Sequence, residues 1–150
     1  KNLDEARKVG QALLDRYAGS TYAPLTALLL ARLELDHDKP DVARQRLQWV
    51  LDHDASVELK SIARSRLAQL SLAAGKADEA WKLLEDGGLT TGDRFAELRA
   101  DILVARGKRD EAVPLYQKAQ KVVTEAGGNP SIIELKLERL GQTGQAGAGA

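Results

Sequence analysis

Only two histidines occur in the chain, and each lies between two aspartates, in the triplets Asp36-His37-Asp38 and Asp52-His53-Asp54. Imidazole and carboxylate groups are plausible ligands for a metal ion. The helical pattern places the triplets at the ends of two successive helices, roughly 20 Å apart at about 1.5 Å per residue. Within one triplet, adjacent side chains diverge on a helix and rarely chelate an ion. We therefore interpret both triplets as polar helix ends, with Asp38 capping the next helix, and predict no metal site.

The chain also lacks the residues that other kinds of catalysis require. The chain contains no cysteine and no Gly-x-Ser-x-Gly sequence, and neither histidine has a serine partner by motif. Gly87-Gly88 follows a helical stretch, whereas a phosphate-binding loop follows a strand and opens a helix. The carboxylates are mixed with Lys and Arg at helical spacings, which is typical of a solvated helix face. We predict that the chain is not an enzyme and binds no cofactor.

The charge balance narrows the choice of partners. Among 150 residues, 22 Lys+Arg stand against 22 Asp+Glu. With no basic block, this argues against nucleic acid or an anionic membrane surface as the main partner. Hydrophobic residues make up 43% and charged residues 29%, which is ordinary for a globular domain. No apolar run approaches the ~18–20 residues of a membrane span.

An internal repeat is the strongest signal in the sequence. Asp-Glu-Ala occurs at residues 4–6, 78–80 and 110–112, with Asp-Val-Ala at 41–43 as a weaker copy, and the four alanines are 37, 37 and 32 residues apart. Each of the last three alanines is preceded by another alanine twelve residues earlier, and the helical pattern is interrupted between the two. The earlier alanines are Ala31, Ala68 and Ala100, and the breaks are Asp38, Gly75 and Gly107. A period of about 30–40 residues with two helical stretches is typical of stacked helical hairpins.

Along the chain these signals predict an all-α fold. We expect a leading helix at 3–17, three hairpins (23–36 with 40–51, 57–73 with 77–84, and 94–105 with 109–125) and a short trailing helix at 131–140. Pro114 removes a hydrogen bond inside its helix and is expected to kink it. We assign residues 1–140 to one repeat domain and the Gly/Ala/Gln-rich residues 141–150 to a disordered tail.

These hairpins resemble tetratricopeptide repeats over about residues 3–125, although that family's tryptophan near the start of each repeat is absent. The resemblance implies a tetratricopeptide-like hairpin array, an α-α superhelix that binds proteins. It also implies a binding groove lined by three positions on the first helix of each hairpin. Those positions are Leu28, Arg32 and Leu35, then Ser65, Gln69 and Leu72, then Glu97, Asp101 and Val104. The set changes from apolar and basic to neutral to acidic, which suits an extended or helical peptide.

Two alternatives stay open for these residues. Leu28 and Leu35 either line the groove or contact the leading helix. Trp49 and Trp81 either cover the seam between stacked hairpins or anchor a partner.

A closer resemblance concerns the layout of the whole chain. Four runs are similar to the soluble part of the YfgM-like ancillary subunits of the bacterial Sec translocon: Ser20-Thr21-Tyr22-Ala23-Pro24-Leu25, Leu30-Ala31-Arg32-Leu33, Leu67-Ala68 and Leu98-Arg99-Ala100-Asp101-Ile102. The resemblance implies a periplasmic repeat domain at the inner membrane, preceded by a short cytoplasmic segment and one membrane-spanning helix. It implies the Sec channel and the chaperone PpiD as protein partners. The anchor of the native protein is then expected upstream of Lys1.

The leading helix carries the Asp-Glu-Ala sequence of a second helix, so its own first helix is also expected upstream of Lys1. We expect residues 3–17 to expose apolar surface and to pair with another copy at high concentration.

Two classes of function remain. The resemblance implies a membrane-tethered interaction domain at the Sec translocon. The residues alone support equally well a repeat adaptor in another cell-envelope assembly, such as a pilus system, or in the cytoplasm.

Overall fold

The computed structural model describes residues 2–53 and 55–147, with side chains as far as Gly141. Within these ranges the chain forms eight α-helices and no β-strand, so the all-α prediction is confirmed. The helices are α1 (Asn2–Arg16), α2 (Ala23–Leu35), α3 (Pro40–Asp52), α4 (Val57–Ala73), α5 (Ala77–Asp86), α6 (Ala96–Ala105), α7 (Arg109–Glu125) and α8 (Ser131–Gly147). The chain divides into two compact units, Lys1–Leu70 (unit 1) and Ser71–Ala150 (unit 2).

The helix ends agree closely with the sequence prediction. From α1 to α7 each start and end lies within two residues of the predicted one, which is the ordinary uncertainty of a helix terminus. The trailing helix differs, because α8 continues past Leu140 to Gly147. An established helix gains one backbone hydrogen bond for each residue that it adds, which offsets part of the cost of the three glycines among residues 141–147. Residues 148–150 lie outside the described residues, and the domain boundary at residue 140 stays a prediction.

The breaks between paired helices have a left-handed backbone. Gly75 and Gly107 have φ of 76° and 78°, where a β-carbon costs energy. Asp38 takes the same place in the first hairpin with φ of 55°, and aspartate is among the few other residues that adopt this region readily. The lysines that follow the breaks donate their backbone N–H groups to the carbonyl oxygens of Glu34, Ser71 and Leu103 at 2.9, 2.8 and 2.8 Å. Asp38 therefore belongs to the turn that follows α2. The prediction that Asp38 caps α3 is wrong, because the N-cap of α3 is Lys39 and no side-chain capping bond forms there.

In unit 1, α2 and α3 pack as a hairpin. Ala31 of α2 and Ala43 of α3 have no exposed surface, and neither has Leu47, one turn further along α3. Small residues at these positions let the two helices approach closely. The leading helix α1 packs on α2, where a β-carbon added at Gly10 would lie 2.8 Å from Leu30 Cδ2. Gly10 therefore makes room for Leu30.

An ion pair also holds α1 on α2. Arg7 Nε and Nη2 each donate to the Glu34 carboxylate at 2.8 Å, a bidentate geometry that is stronger than a single bond. The Glu34 side chain is only 2% exposed, and a carboxylate buried this deeply needs a partner. The hydrogen bonds from Arg7 lower the pKa of Glu34 below its ordinary value of 4.5.

Unit 2 is built around the hairpin of α6 and α7. Ala100 of α6 and Ala112 of α7 have no exposed surface, and Tyr116 of α7 is 3% exposed. Ile133 of α8 belongs to the same apolar cluster, and the half-buried Trp81 of α5 packs against it. The helix α7 continues through Pro114.

Enlarging a buried repeat alanine should destabilise the fold. We expect Ala100→Leu and Ala68→Leu each to cost about 1–3 kcal/mol, because both alanines are fully buried and a larger side chain would overpack their surroundings. The measurement is the free energy of unfolding in urea. Ala105→Leu and Ala73→Leu, at exposed positions of the same two helices, are the controls and should change it little. A buried-site variant as stable as its control would show that the site accommodates a larger side chain.

Unit 1 should lose stability in acid through Glu34. A carboxylate whose folded-state pKa is lowered stabilises the fold above its unfolded-state pKa, and this contribution is lost as the pH falls through the folded-state value. We expect Glu34→Gln to cost about 1–3 kcal/mol at pH 7 and to make the fall in stability below the ordinary pKa of 4.5 shallower. Urea titrations between neutral pH and about pH 3 measure both effects. The same titrations on Glu5→Gln, at an exposed position of α1, should reproduce the parent curve.

Candidate protein-binding surface

The groove positions predicted on unit 1 differ widely in exposure. The Arg32 side chain is 70% exposed, Gln69 is exposed, and Leu35 is half-buried. Leu28 and Ser65, in contrast, are each 6% exposed. These two residues contribute mainly to packing, and they offer little surface to a partner.

Both residues also take part in hydrogen bonds. The Leu28 carbonyl oxygen accepts a hydrogen bond from Arg66 Nη1 of α4 at 3.3 Å, so this side of α2 is covered. Ser65 Oγ donates to the Ile62 carbonyl oxygen at 2.9 Å, within its own helix. On the other side of α2, Leu29 and Leu33 line the groove beside α1, and Leu28 and Leu35 do not line it.

In unit 2 the two acidic positions are brought together by a lysine. Lys136 Nζ of α8 donates to Glu97 Oε1 at 2.8 Å and to the two carboxylate oxygens of Asp101 at 2.8 and 2.9 Å. The Tyr116 hydroxyl donates to Asp101 Oδ1 at 2.6 Å. The other two predicted positions of this unit, Leu72 and Val104, are half-buried, and Val104 packs against the apolar cluster.

These contacts change the charge that a partner would meet. Lys136 neutralises much of the acidic end that the sequence predicts, although the Glu97 side chain stays 42% exposed. Arg32 forms an ion pair with Asp36 at 2.9 Å, but both side chains are more than half exposed. Such a surface pair is worth little, so Asp36 holds the Arg32 guanidinium only weakly.

The buried polar groups of unit 2 have shifted pKa values. Burial raises the pKa of Tyr116, and the hydrogen bond to Asp101 raises it further. Burial lowers the pKa of Lys136, but the hydrogen bonds to Asp101 and Glu97 outweigh that effect and raise it overall. Tyrosine, lysine and the two carboxylates therefore form one network in which the first two keep their protons.

Sequence reasoning missed Lys136, because its neighbours Glu134 and Glu138 make that stretch resemble a solvated face. The structure identifies it through Glu97 and Asp101, which lie one helical turn apart and are half-buried. Two acids in that position need a cation nearby.

The histidines take part in local hydrogen bonds. Nδ1 of His37 donates to the Leu33 carbonyl oxygen and Nδ1 of His53 to that of Trp49, both at 2.8 Å. The His53 ring also stacks on Trp49, with ring centroids 3.8 Å apart. In the part of the chain that the structure describes, which omits Asp54, no three His, Asp or Glu side chains converge as a metal site requires.

The unit 2 network should make the chain sensitive to alkali. A group whose folded-state pKa is raised stabilises the fold below its unfolded-state pKa, and this contribution is lost as the pH rises. We expect the free energy of unfolding to fall above about pH 10, and Tyr116→Phe to reduce that fall while costing about 1–2 kcal/mol at pH 7. Urea titrations from pH 7 upward test this, with Tyr17→Phe at an exposed residue as the control. A variant with the parent's alkaline slope would contradict it.

Comparison with known proteins finds a relative that is similar to most of this chain. The ancillary SecYEG translocon subunit of Neisseria gonorrhoeae (strain ATCC 700825 / FA 1090) is 26% identical over 129 residues, which cover 85% of this chain and 62% of the relative. The chain thus spans about three fifths of the length of that relative. No solved structure matches the chain. Among the described helices, none is both long enough and apolar enough to cross a bilayer.

A comparison with protein families covers more of the chain than the similarity to this relative does. Residues 1–142 match the profile of the tetratricopeptide repeat-like domain, and the paired helices with their buried alanines are the packing that such repeats require. Because this match covers nearly the whole chain, the chain belongs to the tetratricopeptide repeat-like family.

Proposed function

We propose that the chain is a non-catalytic protein-binding domain of an ancillary subunit of the Sec translocon, at the periplasmic face of the bacterial inner membrane. The observation that carries the proposal is the similarity to a translocon subunit over most of this chain. A similarity of that extent includes residues of both units, and hence helices that carry predicted binding positions. Repeat domains of this kind act by binding other proteins.

The proposed binding surface in unit 1 uses the exposed side chains of first helices. Arg32 and Gln69 reach solvent, and Leu35 offers partly exposed apolar surface beside Arg32. Leu28 and Ser65 support these residues from within the packed unit. A guanidinium that can leave a weak surface pair is well suited to a carboxylate on a partner.

In unit 2 the proposed surface combines partly exposed polar and apolar groups. Glu97 and Asp101 remain hydrogen-bond acceptors beside Lys136, while Leu72 and Val104 add partly exposed apolar area. Mixed surfaces of this kind give a bound segment its orientation and association rate more than its affinity. The proposed partners are the Sec channel and the chaperone PpiD, with no cofactor involved, and we place the membrane anchor of the native protein upstream of this domain.

Site-specific photo-cross-linking in the native host tests the proposal. A photoreactive amino acid is placed at Arg32, Gln69 or Glu97 of the membrane-associated protein, and adducts are identified by mass spectrometry. We expect adducts with the Sec channel or PpiD from these positions. The matched controls are Gln45 and Gln117, exposed positions on the second helices α3 and α7, which should give few adducts.

Three outcomes separate the alternatives. Adducts from the control positions alone would move the binding surface to the second helices and contradict the proposed surface. Adducts with components of another envelope assembly, and none with the Sec channel, would favour the general adaptor over the translocon subunit. Fractionation of the protein away from the inner membrane would contradict its proposed location.

A further inference from the structure

Ala6 differs from the other alanines of its kind. Ala43, Ala80 and Ala112 take the same place in the repeated sequence, and each has no exposed surface. Ala6, in contrast, is exposed. A small residue at this position lets another helix cross closely. In the part of the chain that the structure describes, Ala6 is therefore a crossing position that no helix covers.

Ala6 lies at the edge of an apolar groove between α1 and α2, about 420 Å³ in volume. The α1 side includes Val9 and Leu13, and the α2 side includes Leu29 and Leu33. Val9 is 64% exposed and Leu29 is 72% exposed. Clustered exposed aliphatic side chains mark a contact surface more often than an ordinary protein exterior.

In unit 2, the surface that is equivalent to this groove is covered by another helix. There α7 corresponds to α1 by the Asp-Glu-Ala sequence, and the next helix, α8, corresponds to α2. Ala112, Tyr116 and Ala119 of α7 take the places of Ala6, Gly10 and Leu13, and they are 0%, 3% and 6% exposed.

The helix that covers these residues is α6. Its Ala96, Ala100 and Leu103 lie in the same apolar cluster as the α7 residues and Ile133 of α8. Glu97 and Asp101 of α6 also accept hydrogen bonds from Lys136 of α8. Thus α6 covers this surface and contacts both α7 and α8, and it has alanines where it crosses α7.

We propose that the groove between α1 and α2 is the docking site of one more amphipathic helix. This helix precedes α1 in the same polypeptide and carries small residues at its centre, as α6 does. A helix of the same polypeptide is favoured because α3 and α7 are each preceded by their own first helix through a short turn. The matched part is also only 62% of the related translocon subunit, so that relative has further residues outside the part that is similar to this chain.

Cysteine labelling tests the proposal, since the chain contains no cysteine of its own. Ala6→Cys is introduced into the 150-residue chain and into the full-length natural protein, with any other cysteine of the latter replaced by serine. Both are purified away from partners and treated with a maleimide. We expect the thiol to react about tenfold or more slowly in the full-length protein, because the docked helix has to open first. Ala12→Cys, at an exposed position of α1 on another face, should react equally fast in both.

Two results would overturn the proposal. Equal reaction rates at residue 6 in both proteins, or a natural protein without a helix ahead of Asn2, would show that no such helix docks there. Protection that appears in the 150-residue chain only as its concentration rises, together with a dimer in sedimentation, would identify a second copy as the occupant instead.

Discussion

Close approach of paired helices is the constraint on which most of this structure depends. In both hairpins that lie within one unit, α2 with α3 and α6 with α7, the crossing residues are alanines without exposed surface. A larger side chain there would push the helices apart, and Leu47 or Tyr116 one turn along would lose its contacts. The left-handed turns can stay short because the helices that they join are already close. The helix faces that remain available to partners are those that do not lie at these crossings.

Charged groups fix the terminal helices, which the alanine crossings do not fully specify. Arg7 ties α1 to Glu34 of α2, and Lys136 ties α8 to Asp101 of α6. Each pair is largely removed from solvent, so it pays a desolvation cost that an apolar contact avoids. In return, directional hydrogen bonds select one rotation and register of the added helix where apolar contacts would allow several.

Local patterns made the fold predictable, and contacts distant in sequence limited the prediction of the site. Gly75 and Gly107 act on their own turns, so spacing alone placed the helix ends. Leu28 is buried, and its carbonyl oxygen accepts a hydrogen bond from Arg66, which is 38 residues away in the sequence. Lys136 meets Asp101 across 35 residues, and no periodicity within α8 reveals that partner. The position of α8 therefore had to be seen before the acidic end of the predicted groove could be understood.

Gly10 gives unit 1 an unusual mutational profile. Any side chain at residue 10 places a carbon within 2.8 Å of the end of Leu30. Because the Leu30 side chain can rotate more easily than the helices can separate, it would turn toward the groove between α1 and α2, which it borders. Every single-nucleotide change that replaces this glycine would therefore reshape the groove. Val9 and Leu29, on its rim, can in contrast be exchanged for other aliphatic residues at little cost. Selection at this groove should therefore act more strongly on Gly10 than on exchanges between aliphatic residues at its rim.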